Sequence, residues 1–289
     1  MPVSDAELST LSKTADVITL GMRADEVRRR LHDARTTFVR VVDVPLDSPD
    51  GAPFAPFPPG AGEIRIVGAP KSRAAAVARV RDVSARAQGV PVSAFLLNDL
   101  EQLAASDGVT LRALLEELRA AGLELVAEAP FDRLQDARRS IEETNIAGLA
   151  LARLTLHQLP AGDAAPLLKR VADLQHAVGV LRSFAPLPRH VNPAAPTTGF
   201  DDVKRVALAR LIVENVPSIQ VDWALYGPKL AQVALTVGAD DVDAVSAEDD
   251  LTEGRRRAPL EEIRRNIRAA GQEPVERNGR FDARDERAR

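Results

Sequence analysis

The side chains best equipped for proton or metal chemistry are four histidines, His32, His157, His176 and His190, and a large set of carboxylates; the chain has no cysteine. The missing thiol excludes disulfides, thiolate nucleophiles, cysteine-ligated zinc and conventional iron–sulfur clusters, because each needs a cysteine sulfur. His157 ends the apolar stretch LTLH and His190 lies in PLPRH. An imidazole at either place could act as a base or ligand, or as a structural group satisfied by a hydrogen bond. A metal-dependent hydrolase using both histidines and nearby carboxylates has no local ligand spacing behind it. Accordingly, no metal site and no catalytic residue is assigned. Asp240, Asp241 and Asp243 with Glu248, Asp249 and Asp250 form an acidic cluster, a pattern that usually solvates a face or caps a helix. The patterns GxSxG, HExxH, GxGxxG and GxxxxGK[ST] are all absent, which lowers the expectation of a serine hydrolase, a zinc protease, or a dinucleotide or nucleoside-triphosphate site.

These groups must be positioned by alternating strands and helices. Strand-like runs recur at 36–45, 63–68, 92–98, 124–129, 148–157, 179–187, 218–225 and 240–246, rich in apolar or β-branched residues and bounded by turn signals. Between them lie helical patterns. In TLRALLEELRAAG, residues Leu111, Leu114, Leu115 and Leu118 share one face, Thr110 is placed to cap the start and Gly122 to end it. Such alternation implies parallel pairing through right-handed crossovers. A closed eight-stranded (β/α) barrel suits the count, with an open doubly wound sheet as the rival. In a barrel the strand C-termini surround one mouth. That places Gly68, Asp99, Glu128, His157, Arg182, His190, Asp222, Tyr226, Asp243 and Glu248, with Asp43, Asn98 and Trp223, in a polar ring suited to an anionic or hydroxyl-rich metabolite. The expected divisions are a helical segment over 1–35 packed on the barrel, the barrel over 36–275, and a charged, disordered tail over 276–289. The Pro- and Gly-dense stretch DSPDGAPFAPFPPG (47–60) follows the first strand and reads as a turn-rich loop, either at the mouth or as a solvated connection.

Composition narrows the partners. A net charge of −4 supplies no basic footprint for nucleic acid, and 3% aromatics supply few stacking platforms. No apolar run approaches the ~20 residues that span a bilayer. The acidic start MPVSDAELSTL does not read as a signal peptide, so a cytoplasmic location is expected. With 45% hydrophobic residues the chain can bury a core.

The run PTTGFDDVKRVALARLIVENVPSIQVDWALYGPKLAQVALTVGADDVDAVSAEDD resembles the radical S-adenosylmethionine enzymes of the futalosine route to menaquinone. Within them it is most similar to the aminofutalosine synthase group, then to the futalosine cyclase and deazaflavin-forming groups. Its signature is an arginine-bearing helix, a VPxIQ strand, the GPKLAQ turn and GADD. LHDARTTFVR, EIRIVGA, SAFLLNDLEQLA and FAPLPRHVNP extend the likeness from about Leu20 to Arg277. The resemblance implies a radical-enzyme barrel with N-terminal helices, and His157 and His190 fall where the family has histidine. It also marks departures. The family's CxxxCxxC after strand one is replaced by PLDSPDGAPFAPFPPG, its glycine-rich turn by AEAPFD, a glycine by Ala244, and a later loop by TEGRRRAP. No [4Fe–4S] cluster or other cofactor is expected, and losing the cluster's open iron argues against S-adenosylmethionine binding. The implied role is a catalytically inactive homologue, a hetero-oligomeric partner or accessory subunit of an active menaquinone-pathway enzyme. The alternative is a binder of, or redox-independent enzyme on, a nucleoside or aromatic carboxylate in the retained pocket.

Overall fold

The computed structural model describes residues 10–47, 56–159, 163–190, 197–249, 252, 254 and 258–284. Helix α1 (Val17–His32) leads into β1 (Arg35–Pro45), β2 (Glu63–Val67), α2 (Arg73–Arg86), β3 (Val92–Leu96), α3 (Leu97–Ser106) and α4 (Leu111–Ala120). Next come β4 (Leu125–Pro130), α5 (Ala137–Ile146), β5 (Ala150–Leu151), β6 (Leu154–Leu156), α6 (Ala165–Val178) and β7 (Ser183–Pro188). The order ends with α7 (Gly199–Ile212), β8 (Ser218–Asp222), α8 (Trp223–Leu235), β9 (Asp241–Ser246), α9 (Pro259–Ala269) and β10 (Glu273–Arg277). The strands run β10-β1-β2-β3-β4-β6-β7-β8-β9, and β1 also pairs β9, which closes the sheet. Every ladder between these strands is parallel.

Both β5 and β6 pair with β4, at Leu125↔Ala150 and then Ala129↔Leu154, so they are one wall strand broken at Ala152 and Arg153. Counted this way the wall has eight strands, as the sequence pattern predicts. The addition is β10, which takes the lower half of one β1 edge from Arg35↔Glu273 to Val39↔Arg277; β2 takes the same edge from Val41 upward. EPVER carries no apolar alternation, so nothing local marks it as a strand. Beyond it, Ala283 bridges back to Arg277, and Arg280 donates to Glu124 at 2.6 and 2.8 Å. Residues 276–284 therefore pack under the barrel, and 285–289 lie outside the described residues. So does 48–55, most of the Pro- and Gly-dense loop.

Local chemistry explains the elements. In β2, Ile64 and Ile66 are buried in the apolar layer beneath the helices, while Glu63 and Arg65 alternate to the lumen side. Thr110 Oγ1 accepts from the Ala113 amide at 3.2 Å, capping α4 as expected, and Gly122 follows the helix at φ 106°. Thr198 and Asp201 form a reciprocal capping box at the start of α7. Helix α1 lies on α7 and the end of α8: a Cβ on Gly21 would meet Val237, and one on Gly238 would meet Arg210 and Ala24.

Three strand ends differ from the sequence reading. Gly179 adopts φ 66° as the left-handed cap of α6, so residues 179–182 are connector and β7 starts at Ser183. Asp222 accepts from the Leu225 amide at 2.8 Å, which ends β8 and starts α8. Helix α3 begins at Leu97, directly on the end of β3. Among the described residues no helix is long and apolar enough to cross a membrane.

Candidate functional site

A barrel lumen is usually filled by branched apolar side chains. Here charges fill it. Arg65, on β2, donates to Glu63 at 3.0 Å and to Asp243, on β9, at 2.8 Å. Arg153, at the break between β5 and β6, is ion-paired with both Glu63 and Asp243 and is 1% exposed. Ser93, on β3, donates to Glu63 at 2.6 Å. Burial opposes the charge on Glu63, but Arg65, Arg153 and the Ser93 hydroxyl outweigh it and hold the carboxyl at about 2. Burial and the neighbouring Arg65 guanidinium draw Arg153 down to about 10. Nearer the base, Arg277 clamps Asp241 through two 2.6 Å bonds, Gln220 joins at 2.6 Å, and Phe281 lies 3.9 Å beneath the Arg277 guanidinium.

Above this layer is a second set. Arg189, just after β7, donates to Glu128 on β4 at 3.1 Å and to Asp222 at the end of β8 at 2.6 Å. Burial opposes ionisation of Asp222, yet Arg189 lowers its pKa; burial likewise opposes the Arg189 charge, and Glu128 and Asp222 raise it. The Tyr226 hydroxyl donates to the Pro188 carbonyl, and burial pushes its phenol upward. At the rim His157 and His190 stack with ring centroids 4.7 Å apart. Asp132 accepts from the backbone amides of His157 and Gln158 at 2.6 and 2.9 Å, fixing the turn. Burial, then Arg133 and His190, lower the His157 pKa. Asp99, bonded by the Asn98 amide at 2.8 Å, is raised by burial against the pull of Arg133.

Seven of the ten sequence candidates are thus brought to the lumen or mouth: Asp99, Glu128, His157, His190, Asp222, Tyr226 and Asp243. Gly68 follows β2 at φ 121°, exposed, beside Leu46. Arg182 is placed elsewhere. It precedes β7 at the opposite end of the barrel, exposed, and donates to the Arg280 carbonyl. Glu248 is exposed on the loop after β9, where its amide donates to Ser246 Oγ at 3.2 Å. The sequence reading missed Glu63, Arg65, Arg153 and Arg189. For the first three the signal was there, since polar residues alternate with apolar ones in EIRIV and ARLTL, as the lumen face of a barrel wall requires.

Most lumen donors are paired, as buried charge demands. Arg153 Nη1 has only its ion pair with Asp243, and Arg153 Nε, Thr155 Oγ1 and Arg189 Nη2 are buried without a hydrogen-bond partner among the described residues. Also among the described residues, no group of three or more histidines and carboxylates is placed to hold a metal ion.

Comparison with known proteins agrees with the resemblance. Residues 187–289 match the family described as the CofH/MqnC C-terminal region. An aminodeoxyfutalosine synthase of Thermus thermophilus is 28% identical over 236 residues, which is 70% of this chain and 63% of that protein. A cyclic dehypoxanthine futalosine synthase of Streptomyces coelicolor is 26% identical over 62% of this chain and 51% of its own length. The chain thus spans between about half and two thirds of these relatives. Among solved structures, methylornithine synthase superposes with a TM-score of 0.67 at 13% identity, covering 95% of both chains. The [FeFe]-hydrogenase maturase HydG gives 0.63 at 11% identity, over 93% of this chain and 71% of that one. These two likenesses concern the barrel alone. The chain is thus similar to futalosine-pathway synthases and to 5-amino-6-(D-ribitylamino)uracil–L-tyrosine 4-hydroxyphenyl transferases, and residues 187–289 match the CofH/MqnC C-terminal region.

Proposed function

We propose that this protein is a cluster-free relative that has given up reductive cleavage of S-adenosylmethionine and serves menaquinone biosynthesis as an accessory subunit of an active pathway enzyme. One observation carries the reading. A [4Fe–4S] cluster of this family needs thiolates, and the 289 residues contain none. The lumen offers carboxylates, guanidiniums and hydroxyls, and its mouth offers imidazoles; none of these replaces three soft sulfur donors. The cluster does not fit these residues. The scaffold is nevertheless intact, as expected when chemistry sits in loops and folding information in strand cores and helix stripes. Apolar side chains on the two most family-like helices are exposed, Phe200 on α7 and Leu225 and Val233 on α8, which suits a protein surface.

The test is anaerobic reconstitution with iron and sulfide, followed by co-purification with tagged aminodeoxyfutalosine synthase. The expected result is protein without iron–sulfur absorbance that is retained by the tagged enzyme. A stoichiometric cluster, or no retention, overturns it.

A second reading is favoured by the unpaired donors of the lumen. The barrel holds a small molecule there, with Glu128, Arg189, Asp222 and the His157–His190 pair at its edge. Native proteins leave few buried donors unpaired, and such groups ask for a partner.

A further inference from the structure

Arg153 and Thr155 are two residues apart on one side of the broken β5–β6 strand, alternating with Leu154 and Leu156 of the apolar layer. The Arg189 amide donates to the Leu156 carbonyl at 2.8 Å, which sets Arg189 beside them. Each contributes a donor hydrogen that nothing in the described chain accepts. Arg153 and Thr155 are 1% and 0% exposed, so water at the surface does not reach them. Arg189 is 14% exposed and lies at the open end.

The surrounding charge decides what the three donors can take. Arg65, Arg153 and Arg189 face Glu63, Asp243, Glu128 and Asp222, three cations against four anions. Arg153 shares Glu63 and Asp243 with Arg65, and Arg189 faces both Glu128 and Asp222. A ligand carboxylate or phosphate would add to a negative excess in a desolvated space, where like charges repel strongly. An uncharged acceptor meets no such opposition. Two guanidinium hydrogens and a hydroxyl match adjacent lone pairs, as arginine matches the oxygen and ring nitrogen of a guanine edge.

We infer that Arg153 Nε, Thr155 Oγ1 and Arg189 Nη2 form one subsite for the carbonyl-and-ring-nitrogen edge of a neutral oxo-purine type base, in preference to a carboxylate. This rests on the small-molecule reading above and chooses between its two ligand classes. Inosine and adenosine separate the cases, because they differ by a carbonyl acceptor against an amino donor on the same edge.

The experiment is a titration of the whole protein with inosine, adenosine and benzoate, followed by ligand-observed NMR. Inosine is expected to bind at least about tenfold more tightly than either other ligand, the discrimination given by satisfying or stranding buried donors. Thr155→Val removes one donor at constant shape. It is expected to weaken inosine roughly tenfold, while the free variant unfolds at a temperature no lower than the parent because an unpaired hydroxyl has gone. Adenosine equal to inosine, benzoate tightest, or unchanged inosine affinity in the folded Thr155→Val variant overturns the subsite and leaves the small-molecule reading standing. Binding of none of the three overturns both.

Discussion

Glu63 shows what one lumen charge is worth. Its carboxyl titrates at about 2 in the fold against 4.5 when free. A depressed folded pKa stabilises above the unfolded value and loses that contribution as the pH falls, because the unfolded chain takes up the proton first. Acid denaturation is therefore expected to steepen as the pH drops from about 4.5 towards 2, and Glu63→Gln should flatten that limb in a urea series across pH. At neutral pH the same substitution leaves Arg65 and Arg153 to share Asp243. The expected cost is about 3–5 kcal/mol, the range for breaking a buried ion pair by removing one partner. An unchanged midpoint would show that the Glu63 charge is not needed to hold Arg65 and Arg153 in the lumen.

At the scale of elements, the helices are held by caps and close approaches that leave no slack. Thr110 caps α4 through the Ala113 amide, so Thr110→Ala is expected to cost about 1 kcal/mol in denaturant unfolding. Gly238 is tighter. It has φ 111°, and an added Cβ would lie 2.8 Å from Arg210 Cβ and 3.1 Å from Ala24 Cβ, where α1 crosses α7. Arg210 cannot move freely, being bonded to the Gly238 carbonyl at 3.0 Å and to Asp240. Gly238→Ala is thus expected to destabilise by about 1–3 kcal/mol, from strained backbone and a displaced helix together. A measured loss below that of Thr110→Ala would mean that α1 gives way without cost.

Across the whole molecule, the two ends of the barrel divide the work. The mouth carries the stacked histidines and the Arg189 pairs, while the base is tied by β10 and the following turn. Arg280 binds Glu124 beneath β4, and Phe281 lies under Arg277. Removing residues 279–289 is expected to lower the thermal midpoint by a few degrees without moving ligand affinity at the mouth. The lost contacts include two partly exposed ion pairs, Arg280–Glu124 and Arg284–Glu276, the Ala283–Arg277 bridge and one cation–π contact of roughly 0.5–1 kcal/mol. A change in ligand affinity on truncation would show that the base and mouth are coupled through the charged lumen.

The sequence by itself determined the alternation of strands and helices, which favours a closed barrel over an open doubly wound sheet. Eight apolar strand runs, the Thr110 cap and Gly122 stop of α4, and the absence of any thiol are local facts, and local facts set secondary structure and available chemistry. Closure, register and the lumen network depended on tertiary structure. Glu63 and Arg65 stand far from Arg153 and Asp243 in the chain, and only the closed parallel wall brings their side chains into one dry space. Arg182 makes the same point in reverse: one left-handed glycine at 179 shifted the start of β7 and sent that arginine to the other end of the molecule. Alternation along a strand says which side chains turn inward, whereas the order and stagger of neighbouring strands decide which of them meet.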